Sequence, residues 1–180
     1  MVGHILAVFM PVLMAAALIS EVAAAPNEYE VKAAFLYNFA KFTDWPAVQA
    51  PAEEQFTICI LGDDPFGSAL GPLNGKPIAG KPVDMRRLTE PRDVSGCRIV
   101  FVGRPHTENI AGLAAALQSQ PVLTVGDYPG FVRSGGMIGF VLDDGRIRFE
   151  INPDRIALAG LTVSSQMLKL AIIIRDGGSR

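Results

Sequence analysis

Apolar side chains recur along this chain at two spacings, which predict helices and strands in alternation. The clearest helix begins at a cap formed by Asn27 and Glu30 and ends before Pro46, because the residue before a proline avoids the helical region. Its apolar stripe is predicted from residues about one helical turn apart: Val31, Phe35, Phe39 and Phe42.

Short apolar runs bounded by glycine, proline and polar residues predict strands at 56–61, 83–88, 98–102 and 122–125. A helix or turn at 65–73 and a helix at 108–117 lie between them. Strands that alternate with helices build a mostly parallel sheet flanked by helices on both faces. We therefore expect the fold class to be α/β, with a single three-layer domain over 25–180.

The last third of the chain predicts a C-terminal antiparallel hairpin. Two apolar runs, 137–142 and 146–151, are joined through Asp144-Gly145, a dipeptide typical of two-residue turns. Because side chains alternate along a strand, such a turn fixes which residues share one face. The expected pairs on that face are Leu142–Ile147, Phe140–Phe149 and Ile138–Ile151.

The first segment of the chain is uncharged and apolar over 5–19, and it leads into a stretch of small residues that ends at Ala25. A membrane-spanning helix needs about 20 apolar residues, so this shorter run is typical of a secretory signal peptide. We expect a signal peptide over 1–24, because cleavage after Ala25 would place Pro26 directly behind the cut bond. The alternative is an uncleaved anchor that tethers the same exported domain.

Export changes the interpretation of Cys59 and Cys97, the only two cysteines of the chain. In an oxidising compartment two such cysteines usually pair, and both lie in or beside predicted strands that could be neighbours. We expect a structural disulfide rather than a redox site, since the chain has no C-x-x-C pair. Two buried free thiols are the alternative.

Charge and composition exclude several classes of protein. The 180 residues include 16 Lys and Arg against 18 Asp and Glu, with no run that concentrates positive charge, so nucleic-acid binding is not expected. The two cysteines and two histidines form no cluster at metal-ligand spacing. Neither a metal nor another cofactor is therefore expected.

Three loop residues are weak candidates for a ligand site: Asp63, Asp64 and His106. His106 follows a strand, where α/β sheets bind ligands and where a general base is conceivable. The chain has no Gly-x-Ser-x-Gly elbow to supply a nucleophile, so an exposed loop histidine is the simpler interpretation. Asp63 and Asp64 could hold a divalent cation or form a capped turn that leads into the next helix.

A charged face on the second hairpin strand is the candidate contact site. Alternation places Arg146, Arg148 and Glu150 on one side, with Gly139 opposite Glu150. The small Gly139 leaves room for a partner or ligand to approach these residues. Alternatively, a sheet covered on both sides would bury the charges as an internal ion-pair network that only fixes the sheet.

Five blocks of sequence resemble the YfiR/HmsC-like family of exported bacterial proteins, and together they span essentially the whole chain after the signal peptide. Their order, their spacing and the two cysteines match the family. The blocks are 31–46 (VKAAFLYNFAKFTDWP), 56–67 (FTICILGDDPFG), 135–138 (GGMI), 145–152 (GRIRFEIN) and 164–170 (SSQMLKL).

This resemblance implies a periplasmic regulatory protein without catalytic activity. Such relatives bind the periplasmic domain of an inner-membrane diguanylate cyclase and hold it inactive, and an outer-membrane lipoprotein can sequester the repressor. The implied function is control of cyclic di-GMP signalling and biofilm formation by protein contact. Relatives often carry a second cysteine pair in the last third, which this chain lacks. A homodimer is a further assembly that the sequence leaves open.

Two other functions remain open from the sequence. One is a periplasmic sensor that binds a small molecule at the strand ends near Asp63 or His106. The other is a small periplasmic hydrolase, against which the missing pair of nucleophile and base is the adverse evidence.

Overall fold

Strands and short helices follow one another through the part of the chain that the computed structural model describes, which is residues 27–46, 54–103, 113, 116–117 and 120–176. The α-helices there are α1 (Glu28–Lys41), α2 (Pro153–Leu158) and α3 (Ser165–Leu170). Two 3-10 segments cover Gly67–Leu73 and Pro91–Asp93. The strands are β1 (Thr43–Asp44), β2 (Phe56–Leu61), β3 (Pro77–Ile78), β4 (Lys81–Leu88), β5 (Ile99–Val102), β6 (Leu123–Gly126), β7 (Ile138–Asp143), β8 (Arg146–Ile151), β9 (Thr162–Val163) and β10 (Ile172–Ile173).

Eight of these strands form one sheet, in the order β10-β8-β7-β6-β5-β2-β4-β3. Every neighbouring pair from β4 to β7 is parallel, as is the pair of β10 and β8. The pairs β7–β8 and β3–β4 are antiparallel, and β1 pairs with β9 in a separate two-stranded sheet. The expected α/β class with a mostly parallel sheet is confirmed.

The sheet is covered by apolar side chains on both faces, which explains why β2, β5 and β6 are buried along their whole length. On one face α1 packs Leu36 and Phe39 against the sheet, and the Phe39 ring lies 5.0 Å from that of Phe149. On the other face Phe131 and Leu113 belong to a second apolar cluster. The helix predicted at 108–117 falls mostly outside the described residues.

Helix α1 begins as predicted but buries a different stripe. The Asn27 side chain accepts from the Glu30 N–H and the Glu30 side chain accepts from the Asn27 N–H, so the capping box is present. Of the predicted stripe only Phe39 is fully buried, and Phe42 is 38% exposed beyond the end of the helix. With 3.6 residues per turn, a spacing of four drifts around the helix. The buried positions are Lys32, Ala33, Leu36, Phe39 and Ala40.

The expected disulfide joins Cys59 in β2 to Cys97, just before β5. The two strands are adjacent and parallel, with Cys59 opposite Val100, and the two Cα atoms lie 5.9 Å apart. Both cysteines are buried. The bond therefore ties two central strands together from inside the core, in agreement with a structural role.

Mass measurement on protein recovered from the periplasm tests both the processing and the disulfide. We expect the intact mass to lack residues 1–24, with alkylation adding nothing until a reductant is supplied and two groups afterwards. Alkylation of two thiols without reductant would contradict the disulfide. A mass that retains the first segment would contradict cleavage at Ala24.

The hairpin register follows the alternation of the sequence. Pairing of Leu142 with Ile147, Phe140 with Phe149 and Ile138 with Ile151 is confirmed. The turn places Asp144 and Gly145 at positive φ, as a two-residue turn of this kind requires. Leu142, near the turn, is nevertheless 74% exposed, because the layer formed by α1 covers the sheet only nearer its centre.

Candidate functional site

The loops that follow β2 and β5 form the place where α/β proteins commonly bind ligands, since the order of strands in the sheet reverses between these two parallel neighbours. In this protein Gly103, the first residue after β5, lies directly against Asp63 of the loop after β2. A Cβ atom on Gly103 would stand 2.2 Å from the backbone oxygen of Asp63, so only glycine fits. The described part of this crevice is therefore closed by backbone. His106 lies outside the described residues, and its role stays a prediction.

Asp64 closes the turn after β2 instead of presenting a free carboxylate. One of its oxygens accepts hydrogen bonds from the Phe66 and Gly67 N–H groups at 2.8 and 3.3 Å, and the other pairs with the Arg87 guanidinium. This geometry is the capped turn that was one of the two interpretations of the sequence. Asp63 is exposed. Over the described residues, no group of three or more His, Cys, Asp or Glu side chains could hold a metal ion.

The candidate contact residues lie on the face of the sheet opposite α1, at the edge of the apolar layer that includes Phe131 and Val132. Gly139, Glu150 and Ile172 form one row across β7, β8 and β10, and Val141 stands beside Arg148 in the next. Arg146 and Arg148 are exposed, and Glu150, Val141 and Ile172 are half-buried. We call Val141, Arg148, Glu150 and Ile172 the outer hairpin face. β8 has neighbouring strands on both sides, and its Arg146 and Arg148 side chains are exposed on this face.

The room expected over Gly139 is already filled by the chain itself. Gly139 is buried, and a Cβ atom placed on it would meet Val132 Cγ2 at 3.0 Å and Phe131 Cβ at 3.7 Å. The loop between β6 and β7 therefore packs where a partner was expected to enter. Gly139 is therefore covered by the chain itself, and Glu150 is the first residue of this row that remains partly exposed.

The charges of the outer hairpin face do not form an internal network. Arg148 Nη1 lies 3.3 Å from Asp143 Oδ2, and both side chains are about half exposed, so water screens this pair. The half-buried Glu150 carboxylate has no ion pair or side-chain hydrogen bond to any described residue. A carboxylate that is partly desolvated and has no partner does not stabilise the fold, and it is better suited to bind a cation on another molecule.

A buried ion pair elsewhere was not predicted from the sequence. Lys32 of α1 is 3% exposed, and its Nζ lies 2.9 Å from Asp127 Oδ1 and also contacts the Glu28 carboxylate. The Tyr29 hydroxyl donates to the other Asp127 oxygen at 2.9 Å, and the Tyr29 ring lies 4.6 Å from Lys32 Nζ. This cluster fastens the start of α1 to the loop that follows β6.

Among the side chains that the structure describes, three buried polar atoms have no hydrogen-bond partner: Thr43 Oγ1, Trp45 Nε1 and the Tyr128 hydroxyl. Burial raises the pKa of Tyr128, whose ring packs edge-on against Phe131 at 5.2 Å. Thr43 and Trp45 lie close together near Phe56, the first residue of β2. Unsatisfied buried polar groups are uncommon in native proteins, so two of them in residues as close as Thr43 and Trp45 are unusual.

Comparison with known proteins agrees with this fold. A crystal structure of a conserved domain protein from Vibrio cholerae O1 biovar El Tor strain N16961 superposes with a TM-score of 0.52 at 12% sequence identity. The match covers 83% of this chain and 60% of that one. At this identity the similarity supports the fold alone. Within the described residues, no helix is long and apolar enough to cross a membrane.

Fold and site together define an α/β protein with a mostly parallel eight-stranded sheet, a separate two-stranded sheet and an open strand face on its hairpin. A family model described as YfiR/HmsC-like matches residues 29–172. The chain belongs to the YfiR/HmsC-like family, and the resemblance recognised in its five sequence blocks is confirmed.

Proposed function

We propose that this protein is an exported, non-catalytic regulator that acts in the periplasm by contact with another protein, and that its target is the periplasmic domain of an inner-membrane diguanylate cyclase. Family membership supports the regulatory role and the compartment. In this proposal, the free protein holds the cyclase inactive and lowers cyclic di-GMP, which limits biofilm formation. An outer-membrane lipoprotein would relieve repression by competing for the regulator.

The observation that carries the proposal is the unpartnered Glu150 carboxylate on the outer hairpin face. Val141 and Ile172 flank it with half-buried apolar surface, while Arg148 adds an exposed cation beside it. An interface commonly combines apolar centres with charges that meet complementary charges on the partner. We therefore expect a partner that brings a cation to Glu150 and apolar side chains to its two neighbours. Arg146 lies at the rim of the same surface.

A cyclase assay in cells tests the function directly. The chain is expressed together with a membrane diguanylate cyclase that has a periplasmic domain, and cyclic di-GMP is measured with and without the regulator. We expect the nucleotide level to fall when the regulator is exported and to recover when its signal peptide is deleted, because contact then cannot occur. An equal level in all three strains, with the regulator detected in the periplasm, would contradict the proposal.

A pull-down from membranes tests the contact itself. Tagged protein should retain the cyclase from detergent extracts, and excess of the outer-membrane lipoprotein should release it. Copies of the chain with a second tag determine in the same experiment whether the regulator also binds itself. Recovery of the second copy without the cyclase would favour a homodimer over the proposed complex.

A further inference from the structure

We infer that a cleft at the amino-terminal end of the central strands is a binding site for a small organic anion. This site shares no residue with the outer hairpin face, so it stands or falls independently of the proposed cyclase contact. Three features of the cleft carry the inference: its apolar walls, its excess of cations and the unsatisfied polar atoms beside it.

The cleft has a volume of about 490 Å³ and opens where β2, β3 and β5 begin. Volumes of this order accommodate a small organic molecule. Phe56 and Ile78 supply apolar side chains, and the Trp45 ring meets Phe56 edge-on with centroids 5.2 Å apart. The apolar walls can therefore bury a planar or branched apolar group of a ligand.

The charged side chains of the cleft favour an anion. Among its described lining residues, Lys41 and Lys81 carry ammonium groups and Asp44 carries the one carboxylate. Lys81 is half-buried, and its ammonium has no ion pair or side-chain hydrogen bond to any described residue. A concave site with one sign of charge in excess attracts counter-ions, and a partly desolvated cation gains most from direct pairing.

Hydrogen bonding adds a further preference. Thr43 is 5% exposed, and neither its hydroxyl nor the Trp45 indole N–H has a partner. An indole N–H can only donate, so the group that satisfies it must be an acceptor such as a carboxylate or phosphate oxygen. Both residues line the cleft and both atoms are buried, so an acceptor in the cleft reaches them only if the Trp45 side chain moves.

Trp45 is the only tryptophan of the chain, so its fluorescence reports on this cleft alone. We would titrate the exported full-length protein with benzoate and with phenyl phosphate, using benzamide as the neutral control of similar shape. A saturable change in Trp45 emission with either anion, at least about tenfold weaker with benzamide, is expected because the neutral amide forms no ion pair. The two anions distinguish a carboxylate site from a phosphate-ester site.

Two lysine variants separate binding in the cleft from attraction to the protein as a whole. Lys81→Gln should weaken binding of the preferred anion on the order of fivefold, between the effects of exposed and buried charge pairs. Lys169→Gln, which removes an exposed charge on α3 outside the cleft, should leave affinity unchanged. Near-ultraviolet circular dichroism confirms that both variants fold.

Three outcomes would overturn the inference. They are no saturable response to either anion, an equal response to benzamide, or equal weakening by the two lysine variants. If Lys81→Gln fails to fold, Lys41→Gln replaces it, because Lys41 is exposed at the cleft wall and its removal leaves no buried gap.

Discussion

Replacing Lys32 by methionine will lower the free energy of unfolding by about 3–5 kcal/mol, the range for a buried ion pair that loses one partner. Methionine fills the space of the lysine stem, so the loss arises from charge. Asp127 is 8% exposed and would keep only the hydrogen bond from Tyr29. Urea denaturation followed by circular dichroism measures the change.

Two further variants identify the cause of that loss. Lys32→Met combined with Asp127→Asn removes the uncompensated charge and keeps an acceptor for the Tyr29 hydroxyl, so most of the stability should return. Lys41→Met changes an exposed lysine of the same helix and should cost less than about 0.5 kcal/mol. A double variant as unstable as the single one would show that lysine packing, not the ion pair, holds α1.

The sequence could not reveal this ion pair, because its partners are 95 positions apart and each has an ordinary local explanation. Lys32 lies outside the stripe predicted from the sequence and on the one that α1 actually buries, and Asp127 directly follows a strand in the manner of a turn residue. The predicted stripe of Val31, Phe35, Phe39 and Phe42 contains no lysine, so it gave no sign that a charge is buried here. A buried lysine needs an anion, but periodicity cannot say which of 18 carboxylates supplies it.

Local patterns predicted the elements whose stability comes from neighbours along the chain or from a fixed period. The α1 cap needs only Asn27 and Glu30, and the hairpin register needs only alternation and the Asp144-Gly145 turn. Strands β1, β3, β9 and β10 were missed, because a strand of two residues is too short to show a period. β10 matters for the site, since it places Ile172 beside Glu150.

The sequence predicted which residues share the candidate face but not whether that face is covered. Alternation alone put Arg148 and Glu150 on one side of β8. Whether that side is covered depends on how far the loop between β6 and β7 extends across the sheet. Val132 of that loop packs against Gly139. This boundary leaves Glu150 half-buried, and it favours loss of contact over instability as the effect of its substitution.

Reversing the charge of Glu150 to lysine will abolish partner binding while leaving the fold intact. The variant carries positive charges at 146, 148 and 150, every second residue along one strand, facing a surface that we propose to be complementary to a carboxylate. Loss of one member of a desolvated charge pair at an interface costs roughly 2–5 kcal/mol, so affinity for the cyclase domain should fall at least about 30-fold. Biolayer interferometry with the cyclase's periplasmic domain measures it.

The control for this prediction is Glu90→Lys, which makes the same change in net charge at an exposed carboxylate beside the Pro91–Asp93 segment, outside the outer hairpin face. Both variants alter long-range steering equally, so a difference between them reports on local contact. We expect both to melt within a few degrees of the parent protein, because Glu150 supports no described side chain. A Glu150→Lys protein that melts far lower would restore the internal role of this carboxylate. One that melts and binds like the parent would remove the outer hairpin face from the proposed interface.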